Sequence, residues 1–204
     1  MKRLLPKYLF HYTKYDTALK ILNSKKLLLG SLSSSNDIAE SMYIGEYRYV
    51  CFVGADYKEE GATKPTMWAN YGGLNEGCCL CINTNSFMFT NSLNSENIFC
   101  IEYHHRKWFN DNRINAGDDI LLKHKLIDWS IEKEVRAISK DINCFSIDKC
   151  VEVVFVGKQC NTFLDEEIWE IYKPHYVNLW GAILSIRDGD IDAEICRNNN
   201  LKLK

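Results

Sequence analysis

Tyr8-Leu9-Phe10-His11-Tyr12-Thr13 is dense in aromatic side chains and reads as a first β-strand that ends in polar groups. Asp16 or Thr17 is placed to cap the helix that follows. Ala18, Leu19, Ile21 and Leu22 give that helix an apolar face at helical spacing. Outward from this pair, short strands recur at residues 27–29, 49–53, 77–82, 98–103, 134–138, 151–156, 180–186 and 191–195. The run at 151–156 is almost wholly apolar, as a central strand is. Helices are fewer: residues 38–48, 66–71, ending at Gly72-Gly73, 120–127, and 164–172 with Asp165 as its cap. Residues 31–37 form a Ser-rich loop with Asn36-Asp37 as turn chemistry, and 54–65 a polar loop. The stretch 104–119 has no clean period and reads as a surface excursion, and 198–204 as a frayed end. Many short strands with few helices between them give an α+β fold rather than a doubly wound sheet.

Length and composition bound the rest. The chain has 204 residues, which suits one domain spanning 1–204, and 46% hydrophobic residues, enough for a core. A formal net charge of -2 argues against strong electrostatic dependence on nucleic acid or an anionic membrane. The 9 cysteines are an odd number, and several (Cys51, Cys81, Cys144) lie inside apolar strand-like runs, where reduced thiols act as small hydrophobes. Lys7, His11 and Lys14 interrupt the N-terminal segment before a signal-type apolar stretch develops. No apolar run approaches the roughly 18 residues that a membrane span needs. A cytoplasmic protein with no membrane partner is expected.

Three motifs carry candidate chemistry. In His11-Tyr12-Thr13, residues 11 and 13 face the same way at the end of a strand, where an imidazole and a hydroxyl can bind a ribose or a carboxamide. The plainer alternative is a core-edge histidine beside a turn. In Met67-Trp68-Ala69-Asn70-Tyr71-Gly72-Gly73, Met67, Trp68 and Tyr71 share a helical face. Met67 and Trp68 read as core. Tyr71, beside a glycine pair that admits close backbone approach, is open between core and ligand contact. In Trp129-Ser130-Ile131-Glu132-Lys133-Glu134-Val135-Arg136, a strand would put Glu132, Glu134 and Arg136 on one face. That face is either a solvated salt-bridge ladder or the wall of a polar cleft.

Taken in order, these motifs resemble a widespread bacterial and phage family known only as a domain of unknown function. The resemblance covers about residues 8–157 and includes Ala18-Leu19, Ile21-Leu22, Ser35-Asn36-Asp37 and Val50-Cys51-Phe52 between the motifs. The chain departs from it at Ile38-Ala39-Glu40, where the family has a proline and an aromatic residue before the Glu. That family in turn looks like the ADP-ribosyltransferase fold, a split, bent, antiparallel-rich sheet with short flanking helices. The resemblance implies an enzyme that consumes NAD, cleaving the nicotinamide–ribose bond and passing ADP-ribose to a protein or nucleic-acid acceptor. A toxin or phage-defence role is compatible with it. By motif position, His11 would bind the adenosine-side ribose, Tyr12 and Thr13 the carboxamide, Phe52 would line the intervening strand, and Tyr71 would stack on the nicotinamide. Glu134 would be the catalytic carboxylate, with Glu132 close behind, and Arg136 would pair with Glu132 or reach a phosphate.

Rival readings remain beside this one. A catalytically inactive nucleotide-sensing or protein-interaction module would use the same fold. There is no Gly-x-Gly-x-x-Gly for hydride-transfer chemistry. His104-His105 and His124 lie near acidic residues, but adjacent histidines on a strand diverge and no His-Glu-x-x-His spacing exists, so no metal is expected. Cys78-Cys79-x-Cys81 lacks the second half of a zinc site. His104-His105-Arg106-Lys107-Trp108 mixes basic and aromatic residues and is either the acceptor-facing loop or a solvated hairpin.

Overall fold

The first strand forms where its aromatic alternation predicts. In a computed structural model, which describes residues 4–34, 37, 40, 45–116, 119–157, 175–177 and 183–184, β1 is Tyr8–Thr13. Its alternate residues enter two different cores. Leu9 joins Ala18, Ile21 and Leu22 of helix α1 (Tyr15–Ser24) on one face of the sheet. Tyr8, Phe10 and Tyr12 join Ala62, Met67 and Trp68 on the other. The helix begins after Lys14, with no side-chain cap, so the expected capping by Asp16 or Thr17 is not used.

The remaining elements are β2 (Lys26–Leu28), β3 (Gly30–Ser31), β4 (Arg48–Ala55), α2 (Lys58–Ala62), α3 (Pro65–Asn70), β5 (Cys78–Asn83), α4 (Thr84–Thr90), β6 (Ile98–Cys100), β7 (Glu102–His104), α5 (Arg106–Ala116), α6 (Asp119–Lys123), β8 (His124–Leu126), β9 (Glu134–Ser139), β10 (Cys144–Ser146), β11 (Val151–Gly157), β12 (His175–Val177) and β13 (Ile183–Leu184). A 3-10 segment, Ile127–Glu132, precedes β9. The main sheet runs β13-β12-β11-β5-β1-β4-β9-β6, with β3 added to β4. Among the described strands of this sheet, only the β11–β12 pair is parallel. Two short ribbons stand apart, antiparallel β10–β2 and parallel β7–β8. This is an α+β fold with an open, mostly antiparallel sheet and short helices. No described helix is long and apolar enough to cross a membrane.

Several expectations change. The polar loop at 54–65 contains α2, and the excursion at 104–119 is largely α5. Helix α5 escapes a periodicity reading because it is polar nearly all round, with Phe109 its buried anchor. The strand expected at 98–103 breaks at Ile101 into β6 and β7, which belong to different sheets. The run at 120–127 divides into α6 and β8. Ser35, Asn36, most of 38–48, the 164–172 helix, the 191–195 strand and the 198–204 end lie outside the described residues, as does all of the expected 180–186 strand except Ile183 and Leu184.

What positions the site is a parting of strands. β1 pairs with β5 along its whole length, Tyr8 to Thr13. With β4 it pairs only at Tyr8, Leu9 and Phe10. Beyond Phe10 the two central strands separate, while β4 continues on its other side against β9, from Val53–Glu134 to Arg48–Ser139. The sheet is therefore split between the end of β1 and the start of β4.

The end of β1 is held by tight backbone packing. A Cβ on Gly77 would come closer than 3.0 Å to the carbonyl oxygen of Thr13, a backbone atom that cannot turn away. Gly77→Ala should therefore cost about 1–3 kcal/mol as overpacking does, seen as a lower urea midpoint. An unchanged midpoint would contradict this approach of β5 to β1.

Candidate functional site

A cavity of about 280 Å³ opens where β1 and β4 part. Its walls include His11 from β1, Cys51 and Phe52 from β4, Tyr71 from the end of α3, Lys125 from β8, Glu132 from the 3-10 segment and Glu134 from β9. Six elements, from four separate stretches of sequence, thus meet at one opening.

His11 fills the place that a strand neighbour would have taken. Its Nδ1 lies 3.2 Å from the Cys51 carbonyl. A carbonyl only accepts, so Nδ1 carries the proton and Nε2 keeps its lone pair. Burial lowers the pKa of the ring, against a smaller raising effect of that bond, and favours the neutral form. The ring meets Phe52 edge-on, with centroids 5.9 Å apart.

The carboxylates form the polar wall. Lys133 adopts a left-handed conformation, φ 45° and ψ 47°, between the 3-10 segment and β9. Glu132 is therefore not on the strand, yet it and Glu134 turn onto the same cation. Lys125 Nζ donates to Glu132 Oε2 at 2.8 Å and to Glu134 Oε2 at 2.9 Å. The Tyr71 hydroxyl donates to Glu132 Oε1 at 2.6 Å. Glu134 Oε1 accepts from the Cys51 thiol at 2.7 Å and from Arg136 Nε at 2.8 Å. The guanidinium of Arg136 also reaches Glu40 and the carbonyls of Leu121 and Leu122.

Charge balance follows from these contacts. Glu40, Glu132 and Glu134 face Lys125 and Arg136, an excess of one negative charge among these five, all of them nearly inaccessible to solvent. Burial alone would raise the Glu134 pKa, but Arg136 and then Lys125 outweigh it and hold the carboxyl well below the usual range. Burial opposes the charge on Lys125, yet Glu134, Glu40 and Glu132 keep it protonated. Burial and the adjacent Glu134 push the Cys51 thiol far up, so it stays a neutral donor.

The residues singled out by sequence divide into groups. His11, Phe52, Tyr71, Glu132 and Glu134 line the cavity. Tyr12 lines it too, but its side chain packs edge-on against Trp68 and donates to the Gly61 carbonyl. Thr13 ends β1 opposite Cys78 and does not line the cavity. Arg136 is fully buried behind the carboxylates, paired with Glu134 and Glu40 rather than with Glu132, and does not line the cavity. Met67 and Trp68 are core, as their pattern suggests, and Met67 also borders the cavity. The segment 104–108 is not a loop: it ends β7 and starts α5, and Trp108 is stacked on His104.

Sequence reasoning missed Lys125 and Glu40. Lys125 gave one faint signal, a lysine set between the apolar pairs Leu121-Leu122 and Leu126-Ile127. Glu40 sits where the chain departs from the family pattern, and its role as a partner of Arg136 follows from geometry alone.

Residues 67–137 match a family model described as a protein of unknown function (DUF2971). The match agrees with the resemblance drawn from the motifs and is narrower. It contains Tyr71, Lys125, Glu132, Glu134 and Arg136, and leaves out His11, Phe52 and Glu40. No curated protein and no solved structure matches the chain.

Two outcomes follow. Lys125→Met removes the shared cation from three buried carboxylates and should destabilise the fold by about 3–5 kcal/mol, the usual cost of breaking a buried pair, measured by urea unfolding. Glu134 is charged more readily in the folded than in the unfolded chain. Its stabilising contribution is therefore complete above its ordinary value of 4.5 and drains away as the pH falls toward about 2. The stability of Glu134→Gln should fall less steeply than that of the parent over this range; parallel curves would contradict the assignment.

Proposed function

We propose that the cavity binds the nicotinamide half of NAD and that the chain is an NAD-consuming enzyme of ADP-ribosyltransferase type. The observation that carries this reading is the meeting of His11, Tyr71, Glu132 and Glu134 at one split between central strands, in the motif order that suggested such chemistry. At about 280 Å³ the cavity is at the lower edge of ligand-pocket sizes. It suits one nucleoside-sized group, and the adenylate would lie outside.

The reaction needs little from acid–base groups. The bond between C1′ and the nicotinamide nitrogen breaks, and nicotinamide leaves as a neutral molecule with the bonding pair. Positive charge develops on the ribose as an oxocarbenium ion. An acceptor nucleophile adds its electron pair to C1′ and releases its proton to solvent. A wall with one excess buried negative charge favours that cation. The lone-pair inventory favours Glu132 over Glu134 for the ribose contact, the reverse of the sequence-based order. Glu134 accepts from Cys51, Arg136 and Lys125, whereas Glu132, with one bond on each oxygen, accepts among the described residues from Tyr71 and Lys125 and keeps more lone-pair capacity for ribose hydroxyls. Tyr71 offers its ring to the nicotinamide, and His11 Nε2 accepts from a hydroxyl.

One observation favours a second reading. The Lys125 ammonium lies against both carboxylates, which weakens their pull on a cation and suits a module that binds a nucleotide without cleaving it.

Nicotinamide release from NAD by the purified chain tests both. Glu132→Gln should lower release by about 10²–10³-fold, the scale of one preorganised electrostatic contact. Tyr71→Phe, which keeps the ring, should lower it less. Binding of NAD without release would favour the second reading, and absence of both would overturn the proposal.

A further inference from the structure

The ribbon of β7 and β8 has two faces. Tyr103 and Lys125 are register partners and turn toward the carboxylates: Lys125 binds Glu132 and Glu134, and the Tyr103 hydroxyl accepts from the Glu134 amide at 2.8 Å. Glu102 and His124, partners one position earlier, lie on the opposite face, and His104 joins them two residues along the same strand. Glu102 Oε2 lies 3.7 Å from His104 Nε2 and 3.8 Å from His124 Nδ1, and the two ring nitrogens are 3.0 Å apart.

These three edges decide what can sit between the atoms. A triangle with sides of 3.0, 3.7 and 3.8 Å has a circumscribed circle of radius about 2.0 Å, the length of a zinc–nitrogen or zinc–oxygen bond. A cation near its centre meets all three ligand atoms where they already stand. The rings are held in place: His104 stacks on Trp108 with centroids 3.6 Å apart and planes 8° apart, and Trp108 also packs against His124 at 4.8 Å. Without an ion, one imidazole must donate its proton to the other, and a metal would take the place of that proton. Two imidazoles with one carboxylate suit first-row divalent metals rather than calcium or magnesium. Glu102 is 69% exposed, so positions for water remain open on the solvent side.

We propose that Glu102, His104 and His124 form a binding site for a divalent transition-metal ion of the zinc class. None of the three lines the cavity. The ion braces from behind the ribbon whose other face presents Lys125 to the carboxylates. The candidate co-ligands of His104 are not its chain neighbour His105 but Glu102, two residues upstream, and His124, across the ladder.

The chelator-stripped chain, titrated with Zn²⁺ and with Co²⁺ by calorimetry and absorption, tests this without any assay of activity. One equivalent should bind per chain, raise the unfolding temperature, and give a cobalt spectrum lacking thiolate charge-transfer bands, which separates this site from the cysteines. Glu102→Gln and His124→Asn should each weaken binding by about tenfold or more, since loss even of a group that orients a ligand costs about that much. If His124→Asn does not fold, Glu102→Gln, altered at an exposed side chain, decides alone. No stoichiometric binding, thiolate bands, or an affinity unchanged by Glu102→Gln would overturn the proposal.

Discussion

Lys125 is the contact on which the site depends. An ammonium group buried this deeply costs several kcal/mol in lost hydration and persists only with close, well-oriented counter-charges. Here Glu132 and Glu134 supply them at hydrogen-bond distance, and Glu40 stands at 3.8 Å. Arg136 does the same work one layer deeper, bonded to Glu134, to Glu40 and to two carbonyls near the end of α6. The network ties β8, the 3-10 segment, β9 and Glu40 into a single unit. None of those pieces would hold a buried charge alone, so the cluster specifies their arrangement as much as it stabilises it.

The network matters for function because of where the sheet opens. β1 and β4 share three register positions and then separate, and His11 bridges the gap to the Cys51 carbonyl in place of a ladder bond. The opening brings together side chains from opposite faces of the sheet: Phe52 from the face that packs on α1 and α4, Glu134 from the face of Tyr71 and Trp68. A pocket of this kind has an apolar, aromatic side and a charged side. That pairing suits a ligand with a flat cationic ring and a hydroxylated sugar.

Much of this was legible in the sequence, unevenly. β1 was readable end to end because aromatic and aliphatic residues on both faces leave no competing period. Glu134 and Arg136 were correctly placed on one strand face. Glu132 was not, because the left-handed turn at Lys133 carries no glycine or asparagine to announce it. Lys125 was missed for a different reason. A lysine reads as surface, and its burial depends on two carboxylates that the chain folds back onto it, Glu132 and Glu134, and on Glu40 far upstream. Helix α5 was missed because helices without an apolar stripe look like loops to a periodicity argument. The Glu102, His104 and His124 cluster depends on a strand register between residues about twenty apart, which spacing rules for metal motifs do not cover.

The central claim is that the reacting half of NAD enters the split between β1 and β4. Saturation-transfer difference NMR of NAD with the chain tests it without requiring turnover. The account predicts stronger transfer to the nicotinamide protons than to the adenine protons, and loss of that contrast in Tyr71→Ala. Transfer to adenine alone, or none at all, would contradict it.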